Sequence, residues 1–445
     1  MKSKSHLSLN KQIARIALPA IVSNITVPLL GLCDTGVTGH LGNARFVAAI
    51  AVGTMMLNVL FWSFGFLRMG TTGLTAQAFG AKNERETKVL FTRALLLAFT
   101  LGIALIALQS PLRYLLIKII GSDTNVSQLA EQYFNICVWQ SPALLGTMAV
   151  SGWFLGMQNS TRPMVIAITT NIINIVGSIL LTFTVGMGFP GTATGTLIAN
   201  WFALVLALVL VWNFCGGSLP FVRLKEAINL QGLGRFFKVN GDIFFRSFFI
   251  MAVSLGITSL GARYGELTLA ANAVMMQFFF LFSYFMDGLA FAAEALSGKA
   301  TGARNLHQLG RVVKRLLAWS VGVAAFFTIT YTFGYKLFAE WLVPEPSLLS
   351  RIEELRIWLW LIPLSSFLAF IFDGFFIGLT ATRSMLIVTA LASTVFFAVN
   401  FLLPQNLLSD GATVIWLSFE LYLFIRGATL AATYHREVKN LKAAS

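Results

Sequence analysis

Asp34 is the residue whose type and position most invite chemistry. It lies in the stretch Asn24–Gly36, inside an apolar run that begins near Ile13, and it is the only carboxylate deep in a hydrophobic segment of the first half. Holding an aspartate anion near a bilayer centre costs about 2.5–3.5 kcal/mol on insertion scales, and taking up a proton removes that cost. Six residues earlier, Pro28 takes away the backbone donor that the Asn24 carbonyl would have met, so a hinge is expected at Pro28, with Gly31 between it and the acid. A titratable group beside a hinge inside a membrane points to proton coupling. The alternative is a buried polar group held for packing alone.

Other polar residues in apolar segments form a second tier. Asn171, Asn174, Ser178 and Thr182 follow helical spacing on one face of the fifth segment, and Thr192, Thr196 and Asn200 recur every four residues in the sixth. Thr38 lies one turn beyond Asp34. Together these side chains could cradle the carboxyl, or simply join helices. In the second half, Asp287 and Glu294 share a face of the eighth segment, Asp373 lies in the tenth and Glu420 in the twelfth. Asp242 and Arg246 are one turn apart, a spacing that suggests an ion pair. Glu294 has Lys299 or Arg246 as possible structural partners. Asp287 and Asp373 have no sequence-local partner and are therefore candidates for a cation or proton site. The run Met275–Phe282 could line an adaptable apolar cavity.

Enzyme chemistry finds no support. The chain has no phosphate-binding glycine loop ending in Lys-Ser/Thr. Its four histidines, His6, His40, His307 and His435, fall in loops or helix ends. Cys33, Cys137 and Cys215 suggest neither a disulfide framework nor a zinc site, so no metal is expected.

The elements that must position these residues follow from composition. The 445 residues are 57% hydrophobic and 11% charged, against about 25% charged in soluble domains. Twelve apolar segments are each long enough for a membrane-spanning helix, and alternation of the β-barrel kind is absent. The expected fold is an all-α integral membrane protein. The net charge of +14 follows topology: with the N-terminus inside, the inner loops carry 22 Lys and Arg and the outer loops seven. That asymmetry places both termini in the cytoplasm and makes nucleic acid an unneeded partner.

The halves repeat. Ala76–Asn83 lines up with Gly298–Asn305, Ala49–Val52 with Ala271–Val274, and Phe154–Met157 with Phe376–Leu379, all at an offset of 222. The expected architecture is a 6+6 repeat of two six-helix bundles. Residues 1–214 form a first lobe and 236–445 a second, with a cytoplasmic linker at 215–235 that opens on Cys215–Pro220.

Asn24–Gly42 resembles the first helix of multidrug and toxic compound extrusion (MATE) transporters, and Arg68–Ala81 resembles the end of their second. Asn240–Ser247, Asp287-Gly288 with Glu294, and Asp373–Gly378 are similar to the DinF-type branch. The resemblance covers nearly the whole chain. It implies a multi-pass exporter of the inner (plasma) membrane that expels small amphipathic, often cationic compounds by proton or sodium antiport. The family's first-helix aspartate falls on Asp34 and its fifth-helix asparagines on Asn171 and Asn174. Where some relatives carry a second aspartate, this chain has Ser178, which favours a proton over a sodium ion. The resulting expectation is a monomeric, proton-coupled antiporter working within the lipid bilayer, with no cofactor beyond the coupling ion. Sodium coupling through the second-half carboxylates and a lipid-precursor flippase of the same superfamily are the alternatives.

Overall fold

The computed structural model describes residues 8–41, 43–120, 124–343, 345–402 and 411–443; Lys2, Lys4 and His6 lie outside them. Sixteen α-helices account for the architecture, and no strand occurs among the described residues. In the first half they are α1 (Leu9–Gly39), α2 (Ala44–Trp62), α3 (Phe66–Gly80), α4 (Glu84–Ala107), α5 (Gln109–Ile120), α6 (Thr124–Cys137), α7 (Ser141–Gly156), α8 (Thr161–Ile179) and α9 (Phe189–Phe214). After α10 (Leu224–Ala227) come α11 (Leu230–Arg263), α12 (Glu266–Gly302), α13 (Leu306–Leu342), α14 (Pro346–Leu379), α15 (Thr382–Leu402) and α16 (Gly411–Ala443).

Eleven helical stretches among these residues are long and apolar enough to cross a membrane. The second runs from Arg45 to Gly80 through a 3₁₀ turn at Ser63–Gly65, where Ser63 Oγ back-bonds the Val59 carbonyl at 3.3 Å. The twelfth crossing is the expected fourth segment, cut into α6 and α7 by a 3₁₀ turn at Val138–Gln140. The break has a local cause. Pro142 has no N–H for the Val138 carbonyl, and Ser141 Oγ takes that carbonyl at 2.5 Å. The fold is thus the all-helical, twelve-span membrane protein expected.

Close approach of helices depends on small residues. A Cβ added at Gly195 of α9 would stand 2.6 Å from Ser178 N of α8, and one at Gly191 would stand 2.7 Å from Thr182 N. These glycines bring the polar stripe of α8 directly against that of α9, the small-residue packing typical of membrane helices.

The chain divides into two compact units, and the division differs from the expected boundaries at 214 and 236. One unit comprises Val22–Asn240; the other comprises the residues up to Ile21 together with Gly241 onward. The linker is fastened to the first half: Arg93 Nε donates to the Ala227 carbonyl at 2.8 Å, Val222 N to Thr92 Oγ1 at 3.1 Å, and Arg235 Nη2 to Gln77 Oε1 at 2.7 Å. Asn240 packs on Gly70, which keeps the start of α11 in the same unit. Conversely, Gly288 of α12 admits Ile21 and the Ala17 carbonyl of α1 at its surface. Both boundaries therefore fall inside helices, where sequence composition carries no linker signal.

Candidate functional site

Within the Val22–Asn240 unit, α1 carries Asp34, which is half-buried, and its Oδ1 is buried without a hydrogen-bond partner. Tyr133 and Cys137 of α6, one turn apart, lie within electrostatic reach of the carboxyl. The Tyr133 hydroxyl hydrogen-bonds Thr54 of α2 and Thr196 of α9, and the Cys137 sulfur accepts from Tyr133. Cys137 Sγ also donates to the Ala193 carbonyl at 3.7 Å. Asn174 Nδ2 donates to Thr196 Oγ1 at 3.1 Å, and Ser178 Oγ to Asn174 Oδ1 at 3.2 Å. The result is a chain of polar contacts from α8 through α9 to α6, with Asp34 beside its end.

The remaining candidates fall around this chain. Asn171 joins α8 to α1 by donating to Thr26 Oγ1 at 2.8 Å. Asn200 donates to Gln140 Oε1 at 2.7 Å, tying α9 to the turn between α6 and α7. Thr38 is fully buried, but its hydroxyl meets the Asp34 backbone carbonyl at 2.8 Å, not the carboxyl it was expected to cradle. A threonine one turn on finds that carbonyl first, because it lies within the same helix. Pro28 and Gly31 are exposed, and α1 runs as continuous helix across both. Thr182, whose hydroxyl is buried without a partner, lies within a π turn at Leu180–Thr184, a form often found at functional sites.

Sequence reasoning missed Tyr133, Cys137, Thr54, Thr26 and Gln140. A tyrosine and a cysteine one turn apart, Tyr133 and Cys137, are the one available signal. It is weak, because nothing local says that this face turns toward α1.

Residues 19–180 and 243–402 each match the MatE family, at offsets of 224 at their starts and 222 at their ends. The chain is also 35% identical over 440 residues to the Escherichia coli K12 DNA damage-inducible protein F, covering 97% of this chain and 94% of that one. The protein belongs to the MATE family of membrane transporters. Similarity extends to protein DETOXIFICATION 44, chloroplastic, of Arabidopsis thaliana, at 27% identity over 86% of this chain and 76% of that one. Among solved structures, an outward-facing conformation of a multidrug resistance MATE family transporter superposes with a TM-score of 0.80, at 18% identity over 100% of this chain and 99% of that one. The two MatE matches correspond to the duplication seen in the sequence.

In this MATE protein the second unit treats its acids differently. Asp373 of α14, which has no local partner in the sequence, receives guanidinium groups from both Arg246 of α11 and Arg426 of α16 on its Oδ2. Arg426 also donates to the Tyr422 hydroxyl at 3.0 Å. Asp242, for which spacing suggests Arg246, accepts from Thr382 Oγ1 at 2.9 Å and faces Arg383 Nη1 at 3.5 Å. Two cations thus share one buried carboxylate oxygen. Glu294 is buried on α12, and Asp287 is half-buried within electrostatic reach of Tyr284. Among the described residues no three His, Cys, Asp or Glu side chains gather as a metal cluster. In the Met275–Phe282 run, Met275, Phe278 and Phe282 are buried: Phe278 stacks edge-on with Tyr331 at 5.2 Å and Phe338 at 4.9 Å, and Phe282 with Phe327 at 5.4 Å.

Proposed function

We propose that this MATE transporter is a proton-coupled exporter of small amphipathic, often cationic compounds, with Asp34 as the coupling acid. The observation that carries the reading is the Asp34 carboxyl: half-buried in a membrane-spanning helix, one oxygen unpartnered, and set within reach of the Tyr133 hydroxyl and the Cys137 thiol. A lone carboxyl among neutral donors is built to gain and lose a proton, whereas a sodium cage needs more oxygen ligands of like kind. Protonation removes the charge, bends α1 near Pro28 and Gly31, and displaces substrate. Deprotonation toward the inside resets the helix, and the halves alternate in access. Asn171, Asn174, Ser178 and Asn200 hold the faces of α8 and α9 that line this path, with Thr38 fixing the turn after Asp34.

The charge asymmetry supports cytoplasmic termini and insertion in a plasma membrane. Names of relatives, detoxification and multidrug resistance among them, support drug-like substrates. The sodium alternative through Asp373 is disfavoured by the two arginines that already neutralise it. Each pH unit of gradient supplies about 1.4 kcal/mol per proton. The test is dye export from proteoliposomes under an imposed pH gradient without sodium. Export that tracks the pH gradient supports the reading; strict dependence on sodium overturns it.

A further inference from the structure

One buried acid has no part in that mechanism. Glu420 of α16 is 6% exposed, its Oε2 meets Ser365 Oγ of α14, and its Oε1 is buried with no hydrogen-bond partner. No arginine, lysine or histidine among the described residues forms an ion pair with it. The charged and titratable groups on the surrounding helices are engaged elsewhere. On α14, Glu353 takes Arg356 and Tyr335 of α13, Arg351 takes Glu354, and Asp373 holds both Arg246 and Arg426. On α15, Arg383 faces Asp242, and on α16 itself Tyr422 accepts from Arg426 while Glu437 takes Ser384. Helix α12 meets α16 where Asn272 accepts from Trp416 at 2.8 Å and where Phe279 packs on Phe419 at 5.1 Å; its Asp287 and Glu294 stand 8 and 15 residues beyond Phe279, about 12 and 22 Å of helix.

Proton bookkeeping at Ser365 narrows the state of the acid. Its hydroxyl also lies 3.2 Å from the Ile362 carbonyl, yet it has one proton to donate. If that proton goes to Ile362, Glu420 must bring its own to the shared contact. If it goes to Glu420, an anion is left with a single hydrogen bond and an orphaned oxygen in an apolar core, which is the costly arrangement. In the first half, the helices that correspond to α14 and α16 are joined by Asn200 and Gln140, an amide pair that cannot titrate. Two residues before Ser365, Pro363 interrupts the hydrogen bonding of α14 and gives that helix a place to flex.

We infer that Glu420, with Ser365, is a second proton-binding site of the transporter. Its carboxylic acid holds a proton in the conformation seen here. When α14 and α16 move apart, the Glu420 O–H bond breaks, the proton passes to water and the carboxylate remains; the return movement reloads it. This rests on the reading of the protein as proton-driven, but its first test does not.

Infrared difference spectra of the purified protein in lipid, taken between acid and alkaline buffer, read the acid itself. A carboxylic C=O band that fades on alkalinisation is expected, with one component missing in Glu420→Gln and a different one missing in Asp34→Asn. Ser365→Ala keeps the acid and should shift the frequency of the Glu420 component, which guards against misfolding of the glutamine variant. In proteoliposomes held at zero membrane potential, one exchanged proton sustains about a tenfold substrate gradient per pH unit and two sustain about a hundredfold. Glu420→Gln should lower the limit from the second value to the first. Spectra of Glu420→Gln identical to the wild type, or a component that responds to sodium and not to pH, would overturn the inference. Loss of the Asp34 component alone would refute it while leaving the proposed function intact.

Discussion

The side-chain amide of Asn171 donates to the hydroxyl of Thr26 at 2.8 Å, joining α8 to α1 about two turns ahead of Asp34. The bond lies between the unit boundary at Ile21 and the acid, so it restrains the part of α1 that must move. Asn171→Ala should lower stability by only about 0.6 kcal/mol, the average for such contacts in membranes. Its larger effect should be on mobility, with amide hydrogen exchange rising selectively across residues 22–39. Unchanged exchange there would show that the bond restrains nothing.

Asp34→Asn keeps the shape of the side chain but cannot switch charge. The variant should insert, melt near the wild-type temperature and export dye at background rate under a pH gradient, with transport normalised to protein in the membrane. Wild-type export with intact proton coupling would remove Asp34 from the mechanism.

Tyr133 is almost fully buried and hydrogen-bonds both Thr54 and Thr196 beside Asp34. Tyr133→Phe should cost about 1–3 kcal/mol, since partners are left unsatisfied. It should also displace the pH profile of export, because the neighbour of the coupling acid has lost its dipole. A stability loss with no change in pH profile would mark the tyrosine as structural only.

Asp373 sits between Arg246 and Arg426, so Asp373→Asn removes the charge that both buried guanidiniums share. A loss of about 3–5 kcal/mol is expected, read as a sharp fall in melting temperature and yield. The wild-type melting temperature should not respond to sodium. Near-normal melting of Asp373→Asn, together with a sodium response in the wild type, would restore the carboxylate as a cation site.

Arg93 holds the linker through the Ala227 carbonyl, and α10 gains a second tie where Arg85 meets Glu226 at 2.5 Å. Arg93→Ala should expose residues 215–229 to limited proteolysis while the membrane helices stay intact. Cleavage no faster than in the wild type would mean that the remaining contacts are sufficient.

Much of the architecture was legible without coordinates. The length of each apolar run sets a helix count, the 222 offset sets a duplication, and a single intramembrane carboxylate in the first half marks Asp34, because membrane burial makes each of these expensive to violate. Helical spacing likewise placed Asn171, Asn174 and Ser178 on one face. Spacing reads the face of one helix, however, and says nothing about which other face meets it. Arg246 and Arg426 reach Asp373 from 127 and 53 residues away, and Tyr133 reaches the Asp34 neighbourhood from another helix. The unit boundaries at Ile21 and Asn240 fall inside continuous helices. Those relationships depend on how closely Gly195 lets α9 approach α8, on where Pro142 breaks the fourth span and on which side of α4 receives the linker. They are packing outcomes among distant segments, and only the tertiary structure decides them.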